Sequence, residues 1–475
     1  MLIKSGDKSN AIAVRSGIWY SVSNFVQASM SLIATPIFSR ILEQGVFGAF
    51  QNYIAWISVI RMFLTLNPVN SLVSAKIDYK DKWDQFISSI FFLGGFSSLF
   101  FAGIFYFVHD TIYKYFSIDF FYVVLSVVFL FFLHVIELYR VNEAYLFRYF
   151  NVVKINIFLS VSELILSIAF ILNASDKLYA RILGYSIPTC CLGMVLSLGF
   201  IYRERSVDFS CWRYAILICL PVIPHSLSLT LLNSMDKIMI TNICGLEYTA
   251  LYSLAYTCGR AGTVLSSSMN SAYVPWLTER IIEEDYLTIR RKSYLYISFF
   301  AFIVIGIILL APELLYVLGG TAYIEAIYVL PPVIMGCFAQ FLYTMFVNIE
   351  QINKKTSQMA IASVSAAVIN YVLNLIFIPQ YGYLAAAYTT FFGYLWLLFV
   401  HMYIVKRIGY DFVYNYKFIV SLLGVISIIA FLINFLYSFY DFRLLTVLIY
   451  FILLLVLYLK RDLVKQYPFL KWFEK

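Results

Sequence analysis

Long runs of apolar residues alternate with short polar segments along the whole chain. A helix needs about 20 apolar residues to cross about 30 Å of hydrocarbon, and it satisfies its own backbone hydrogen bonds there. The pattern therefore predicts an all-α polytopic membrane protein with fourteen spans. Their approximate limits are 17–39, 46–74, 86–108, 120–139, 155–172, 182–202, 214–243, 248–275, 293–317, 327–347, 358–378, 384–405, 418–437 and 444–459.

The composition agrees with this fold class. Of the 475 residues, 62% are hydrophobic and 13% are charged, whereas a soluble domain has about 25% charged residues. The seven cysteines form no CxxC pair and the four histidines are scattered, so we expect neither a disulfide framework nor a metal site. The chain has no GxxxxGKT or GxGxxG loop, and these loops bind nucleotides. No cofactor is therefore predicted.

The distribution of lysine and arginine predicts the orientation of the chain. With the N-terminus in the cytoplasm, 26 of the 34 basic residues fall in inner segments and six in outer loops. Inner loops of membrane proteins carry such an excess of basic residues. Both termini are therefore expected in the cytoplasm. The net charge of +8 reflects this topology, and no nucleic-acid partner is expected.

The sequence contains a weak internal repeat. Stretch 39–53, "SRILEQGVFGAFQNY", aligns with 241–255, "TNICGLEYTALYSLA". Each stretch opens the second span of a six-span block, which predicts two parallel repeats with a substrate path between them. The expected organisation is a six-helix bundle over 1–213, a second over 214–410, and two appended helices with a cytoplasmic tail over 411–475.

Two arginines fall inside predicted spans, Arg61 in span 2 and Arg260 in span 8. In the repeat alignment, Arg61 corresponds to position 263, one helical turn from Arg260. An arginine in a membrane is costly unless it faces a wet cavity or a partner. One interpretation is that both line a shared aqueous cavity and bind an anion such as a phosphate. The alternative is that a local carboxylate or backbone carbonyl holds each arginine, which then only braces helices.

Other charged residues also fall in apolar helices. Asp236 and Lys237 are adjacent in span 7, so they point about 100° apart, and one could pair across the bundle while the other faces the cavity. Glu163 is a lone acid in span 5, either a proton-coupling residue or a neutral hydrogen-bonded acid. Glu137 lies close to the predicted inner interface, where it needs no special role.

Three stretches carry a family resemblance. "NSMDKIMITNICGLEYTALYSLAY" resembles spans 7–8, and "ATPIFSRILEQGVFGAFQNY" the first turn, of the polysaccharide-exporter branch of the MOP exporter superfamily. A third pattern resembles spans 11–12 of that superfamily: Asn370, Asn374, Pro379, Gly382, the run from Ala385 to Ala387, and Thr389. With the length and predicted spans, the resemblance covers essentially the whole chain.

The resemblance implies a Wzx-type flippase for lipid-linked oligosaccharides. Such proteins move undecaprenyl-diphosphate-linked sugar units, as in O-antigen synthesis, from the inner to the outer leaflet. The implied fold is V-shaped with a central cavity, and alternating access with H+ or Na+ coupling is expected. Arg61 and Arg260 are similar in placement to cavity arginines of the related peptidoglycan-precursor flippases. Membrane lipids and polysaccharide polymerase or chain-length proteins are the implied partners.

Three other functions remain open. A multidrug antiporter of the same superfamily typically has twelve spans and binds organic cations through carboxylates. A peptidoglycan-precursor flippase would be expected to carry more basic residues in its first span. A membrane polysaccharide polymerase is an enzyme and would show a long outer loop in place of the six-helix repeat. The sequence favours a non-enzymatic carrier of lipid-linked oligosaccharides over all three.

Overall fold

The computed structural model is entirely helical in its regular structure, which confirms the predicted fold class. It describes residues 30, 32–64, 68–107, 120–146, 148–203 and 206–459. The predicted cytoplasmic tail after 459 and most of the first predicted span lie outside the described residues.

Seventeen α-helices occur in the described residues. They are α1 Leu32–Ile41, α2 Gln44–Leu64, α3 Leu72–Asp78, α4 Trp83–Phe107, α5 Phe120–Tyr145, α6 Tyr149–Asn173, α7 Lys177–Arg203, α8 Phe209–Cys219, α9 Ile223–Ile243, α10 Leu246–Ile282, α11 Tyr286–Leu309, α12 Ala311–Gly319, α13 Leu330–Ile352, α14 Thr356–Tyr381, α15 Tyr383–Arg407, α16 Tyr416–Leu436 and α17 Tyr440–Leu459. Short 3-10 segments occupy Pro68–Ser71, Lys80–Lys82 and Thr321–Tyr328.

The helices are long and apolar enough for an integral membrane protein. Within the described residues, nine could cross a membrane by length and composition, or ten if α8 and α9, which meet at 54°, form one bent span. Helices α2 and α10 fall outside this set, because each carries polar residues and an arginine within its apolar sequence. The full count of fourteen spans stays a prediction.

The chain divides into two compact units, Met1–Ala250 (unit 1) and Leu251–Lys475 (unit 2). In unit 1, α2 packs along α9, and α7 packs against both α5 and α6. The compact division therefore lies after α9, whereas the repeat places a boundary at residue 213. The sequence repeat assigns α9 to the second six-helix block. In the structure α9 packs on α2 and therefore belongs to unit 1. The predicted three-part organisation stays a prediction.

In unit 2, α13 is the most buried membrane-length helix and packs against α11, α15 and α16. Its Phe341 lies against Phe300 of α11, with ring centroids 4.2 Å apart. The two C-terminal helices pack on α11 as well. The Tyr437 hydroxyl donates to the Ile308 carbonyl at 2.5 Å, and the Tyr450 hydroxyl donates to the Phe302 carbonyl at 3.2 Å. These two helices are thus part of unit 2.

The helix limits repeat along the chain with the offset of the sequence alignment, the one that places position 39 on position 241. This offset relates two pairs of limits: the ends Ile41 and Ile243, and the starts Gln44 and Leu246. The turns before α2 and α10 also match, because the carbonyls of Glu43 and Gly245 accept from the amides of Phe47 and Thr249. The helix limits therefore support the internal repeat more strongly than the residue identities do.

Gly48 marks the closest approach between the start of α2 and the start of α10. A β-carbon at Gly48 would lie 1.9 Å from the carbonyl oxygen of Leu246, which is backbone and cannot rotate away. We predict that Gly48→Ala lowers the free energy of unfolding by about 1–3 kcal/mol through overpacking. Thermal unfolding in detergent measures the effect.

The matched control is Gly45→Ala in the same helix, because a β-carbon at Gly45 meets no atom within 4 Å. Gly45→Ala should leave the melting temperature unchanged or raise it, since alanine favours helix more than glycine. Equal melting temperatures for the two variants would disprove the close contact.

Candidate substrate-binding site

Arg61 lies in the last turn of α2 and reaches α5. Its Nη2 is 2.5 Å from Oε1 of Glu137, and the two side chains are 31% and 23% exposed. This ion pair lies within unit 1, so it matches the interpretation in which a local carboxylate holds the arginine. Both side chains are therefore only partly buried within the protein. Glu137 therefore has a partner that the sequence did not indicate.

Arg260 differs from Arg61 in its surroundings. It lies in α10, its side chain is exposed, and it makes no ion pair with any described residue. It borders a small pocket of about 20 Å³ within unit 2, which is room for about one water molecule. Other residues of this pocket are Tyr256, Gln340, Thr390, Phe391 and Tyr394. A guanidinium without a carboxylate partner retains its capacity to bind an anion.

The two arginines occupy similar positions along their helices. With a rise of about 1.5 Å per residue, Arg61 lies about 25 Å along α2 from its start at Gln44, and Arg260 lies about 21 Å along α10 from its start at Leu246. The difference is roughly one helical turn. Each unit thus supplies one arginine at a comparable distance from a matching turn.

Glu163 is not a lone acid, contrary to its interpretation from the sequence. Its Oε1 is 3.1 Å from Nη2 of Arg181, and Nη1 of Arg181 donates to Oγ of Ser167 at 2.6 Å. The Arg181 side chain is 6% exposed. Gly184 permits this arrangement, because any β-carbon there would lie 2.4 Å from Cα of Ser167. α6 and α7 therefore approach closely where the ion pair forms.

The Arg181 guanidinium also lies over two aromatic rings, 3.9 Å from the centroid of Phe38 and 4.2 Å from that of Phe50. An arginine over an aromatic face gains a cation–π attraction when desolvated. The positive-inside count assigns Arg181 to an outer loop, but α7 begins at Lys177 and includes it. Arg181 is therefore a buried charge that could not be predicted from the sequence, because α7 starts before the predicted span.

Asp236 and Lys237 have different surroundings on α9. Asp236 is completely buried, whereas Lys237 is half-buried and its Nζ donates to Oε1 of Gln51 on α2 at 3.4 Å. This difference follows from their separation of about 100° around the helix.

The asparagines of the family resemblance form a buried network between α14 and α15. Nδ2 of Asn370 donates to Oγ1 of Thr390 at 3.2 Å, and Nδ2 of Asn374 donates to Oδ1 of Asn370 at 3.2 Å. Thr389 donates to Oδ1 of Asn374. The network lies in unit 2.

This network and the Glu163 ion pair occupy corresponding places in the repeat. When the starts of α6 at Tyr149 and α14 at Thr356 are superposed in sequence, which lengthens the repeat offset from 202 to 207 residues, Glu163 falls on Asn370 and Ser167 falls on Asn374. Each unit therefore carries polar residues one turn apart on the fifth span of its repeat. In unit 1 a guanidinium completes the cluster, and in unit 2 threonine hydroxyls do. In the sequence, these two clusters are indicated only by pairs of polar residues spaced about one helical turn apart.

In the described part of the chain, no group of three or more histidine, cysteine, aspartate or glutamate residues is placed to hold a metal ion. The charged residues described in this subsection occur in ion pairs or as single charges.

The fold belongs to a known class of membrane transporters. The structure is similar to that of the lipid II flippase MurJ in an inward closed conformation, with a TM-score of 0.69 and 13% identity over 94% of this chain and 100% of that chain. It is also similar to an inward-facing multidrug resistance MATE family transporter of the MOP superfamily, with a TM-score of 0.57 and 14% identity over 83% and 98% of the two chains. A MATE transporter from Vibrio cholerae has a TM-score of 0.55 and 11% identity over 85% and 99%. The chain therefore has the fold of MOP-type transporters, as the sequence predicts.

The sequence identifies the family within that class. Residues 13–281 match the sequence model of a family described as "Polysaccharide biosynthesis protein". The match covers more than half of the chain, so the chain belongs to this family. No curated protein gives a significant sequence match. The predicted membership of a polysaccharide family is confirmed, and the fold is the MOP-type fold that the sequence predicts.

The ion pair between α6 and α7 generates a stability prediction. Arg181→Met should strongly destabilise the protein, because it leaves the carboxylate of Glu163 beside a nearly dry site without its counter-charge. Glu163→Gln should cost more, since it leaves the guanidinium of Arg181, which is less exposed than the carboxylate, without its counter-charge. The double variant should be more stable than Arg181→Met alone, and thermal unfolding of all four proteins gives the coupling energy.

Arg280→Met is the control, because Arg280 pairs with Glu283 in a partly exposed position and exposed pairs contribute little. Additive effects of the two substitutions at 163 and 181 would contradict a direct interaction.

Proposed function

We propose that the protein is a flippase that moves an undecaprenyl-diphosphate-linked oligosaccharide across the bacterial inner membrane by alternating access. The cargo is an O-antigen unit or a similar repeat of a surface polysaccharide. The family and the MOP-type fold support a membrane transporter of polysaccharide synthesis. The observation that carries the cargo assignment is Arg260, an exposed guanidinium with no ion pair among the described residues.

The chemistry of the cargo explains this choice. A diphosphate is too polar to cross hydrocarbon without compensating charge. Guanidinium groups bind phosphate oxygens through two parallel hydrogen bonds. In this proposal the guanidinium of Arg260 binds the diphosphate, Arg61 is the second predicted binding residue, and the polyprenyl tail stays in the lipid. Movement of the cargo requires no chemical step, so we infer a carrier without catalytic residues. We place both of its termini in the cytoplasm, because basic residues are concentrated in the segments predicted to be inner.

The other predicted residues have assigned roles in this proposal. Lys237, whose Nζ lies 3.4 Å from Oε1 of Gln51, is the second cation that we assign to the diphosphate. Asp236 balances charge in the bundle from its buried position. Glu163 holds Arg181, so its contacts favour a structural role over ion coupling. A proton or sodium gradient remains the proposed energy source, and polysaccharide polymerase and chain-length proteins remain the proposed partners.

A second cargo has one observation in its favour. The structural similarity to the lipid II flippase MurJ extends over 94% of this chain, which makes a peptidoglycan precursor the alternative cargo. Restoration of growth in cells depleted of their lipid II flippase would favour that cargo. Restoration of surface polysaccharide in cells lacking their oligosaccharide flippase would favour the proposal.

The role of Arg260 can be tested in a complementation assay. We predict that Arg260→Ala abolishes surface polysaccharide at normal membrane levels of the protein, because the diphosphate loses its cation. Arg260→Lys should partly restore it, since lysine keeps the charge without the bidentate geometry. Arg407→Ala, which changes an exposed arginine at the end of α15, is the control and should retain activity. Full activity of Arg260→Ala would rule out this role.

Arg61 requires a comparison with its partner. If Arg61 binds diphosphate, Arg61→Ala abolishes transport while Glu137→Gln preserves it. If Arg61 only braces α2 against α5, both substitutions lower protein stability and transport to the same degree. We predict the first result, and equal effects would refute a binding role for Arg61.

A further inference from the structure

A polar pocket lies in unit 1, near one end of α4, α5 and α7. Its volume is about 330 Å³, which is within the range of roughly 300–1,000 Å³ that is usual for ligand-binding pockets. Its polar lining consists of Asp84, Ser88, Asn142 and Arg148. None of these residues belongs to the proposed cargo site, so the function proposed above leaves the pocket without a role.

Asn142 gives the pocket a fixed hydrogen-bond donor. Its side chain is 4% exposed, and its Oδ1 accepts from Nε1 of Trp83 at 2.8 Å. The indole nitrogen of tryptophan can only donate, so the orientation of the asparagine amide is determined. Its Nδ2 has no hydrogen-bond acceptor among the described residues. Such a buried polar group normally has a partner, and a ligand in the pocket can supply one.

Arg148 supplies a positive charge to the pocket. Its Nη1 is 3.6 Å from Oε1 of Glu143, which is too long for a hydrogen bond. The other carboxylate oxygen of Glu143 accepts from Nδ2 of Asn151 at 2.5 Å. The N–H groups of the guanidinium therefore make no hydrogen bond with any described residue. These donors suit the oxygens of a phosphate, which a guanidinium can bind through two parallel hydrogen bonds.

Asp84 supplies the opposite charge. It lies in the first turn of α4 and is exposed. Its carboxylate makes no ion pair or hydrogen bond with any described residue. An ionised carboxylate can only accept hydrogen bonds, so it complements a cation that carries N–H groups. The pocket thus combines donors for an anion with an acceptor for a cation.

The pocket lies near the ends of three membrane-length helices. Asp84 is one residue from the start of α4, and Asn142 and Phe200 are each three residues from the ends of α5 and α7. These helices have 25, 26 and 27 residues, so at about 1.5 Å per residue they are about 38–41 Å long. The hydrocarbon of a bilayer is about 30 Å thick, and about 40–45 Å with the headgroups. We therefore expect the pocket at the level of the headgroups, on the face that the predicted topology places in the cytoplasm.

Apolar side chains complete the lining of the pocket. Ile87 is buried, Phe200 is half-buried and Leu146 is exposed. The ring of Phe200 stacks on that of Phe91, with centroids 5.5 Å apart, so its position is fixed by the core of unit 1. Apolar side chains gain free energy when carbon atoms cover them. A ligand that carries hydrocarbon beside its charged groups therefore fits this lining better than a small ion does.

We propose that this pocket binds the headgroup of a zwitterionic phospholipid that has a phosphate and a primary ammonium, as phosphatidylethanolamine has. The phosphate accepts from the guanidinium of Arg148 and from Nδ2 of Asn142, and the ammonium donates to the carboxylate of Asp84. The two opposite charges of the headgroup match those of the pocket, and the glycerol and acyl carbons contact Leu146. The site is separate from that of the cargo, so the inference does not rest on the proposed function.

The affinities for three lipids test this assignment. Native mass spectrometry of the full chain in detergent gives the dissociation constants of phosphatidylethanolamine, phosphatidylcholine and phosphatidylglycerol. We expect phosphatidylethanolamine to bind most tightly. The quaternary ammonium of phosphatidylcholine has no N–H group to donate to Asp84, and the headgroup of phosphatidylglycerol has no cation. Equal affinities for the three lipids would overturn the proposal.

Substitution of Asp84 tests the site itself. Asp84→Asn should weaken binding of phosphatidylethanolamine about fivefold, which is the usual upper limit for an ion pair at an exposed position. Asp84→Lys should reverse the preference, so that phosphatidylglycerol binds more tightly than phosphatidylethanolamine. Asp81→Asn is the matched control, because Asp81 is an exposed acid just before α4 that is not part of the pocket lining. An unchanged lipid preference in Asp84→Lys would refute the role of the carboxylate.

Substitution of Arg148 tests the phosphate contact. Arg148→Gln should weaken binding of phosphatidylethanolamine at least as much as Asp84→Asn, because the phosphate loses two parallel hydrogen bonds. This variant also removes the cation nearest to the buried carboxylate of Glu143, so its melting temperature is measured first. If Arg148→Gln is less stable than the wild type, the two variants at Asp84 decide the result, since they break no ion pair or hydrogen bond of that carboxylate with a described residue.

A soluble ligand with the same charges is distinguished by competition. Free phosphoethanolamine has the phosphate and the ammonium of the lipid headgroup without its acyl chains. We expect it not to displace phosphatidylethanolamine at equal concentration, because it lacks the carbon atoms that contact the apolar lining. Displacement at equal concentration would show that the pocket takes a soluble compound, and the lipid assignment would fail.

Discussion

The need to compensate charge in an apolar surrounding governs this structure. A buried guanidinium or carboxylate without a partner costs several kcal/mol, so each charge in the helices requires a counter-charge, an aromatic face or solvent. Arg61 pairs with Glu137, and Arg443 pairs with Glu313. Arg181 pairs with Glu163, and its guanidinium also lies over two aromatic rings. Arg260 is the contrast, because it remains exposed and makes no ion pair with a described residue.

This contrast divides structural charges from functional ones. The Glu163–Arg181 cluster is nearly dry on the arginine side and joins α6 to α7, as expected of a charge that fixes helix packing. The same place in the second repeat contains Asn370 and Asn374 with threonine partners, all uncharged. An ion pair in one repeat and an amide network in the other satisfy the same requirement for hydrogen bonding. In the predicted repeat, the two clusters would be a charged and an uncharged form of the same helix contact.

Several features could be predicted from the sequence because they depend on composition and periodicity along the chain. These include the all-helical membrane fold of MOP type, the family of polysaccharide synthesis and the repeat offset, which the limits of α1, α2, α9 and α10 reproduce. Glu137 and Arg181 could not be assigned as partners of Arg61 and Glu163, because each pair is distant in sequence and lies on two different helices. Such contacts depend on which helix faces meet, and a hydrophobic pattern does not specify this. Likewise, Asp84 and Asn142 line one pocket only because α4 packs on α5.

The central claim is that the exposed guanidinium of Arg260 binds the diphosphate of the cargo. The most direct test is the dissociation constant of undecaprenyl diphosphate, measured by native mass spectrometry beside that of undecaprenol, which has the same tail without phosphate. We predict that Arg260→Gln weakens binding of the diphosphate at least tenfold and leaves binding of undecaprenol unchanged. Equal affinity of the wild type and Arg260→Gln for undecaprenyl diphosphate would contradict the claim.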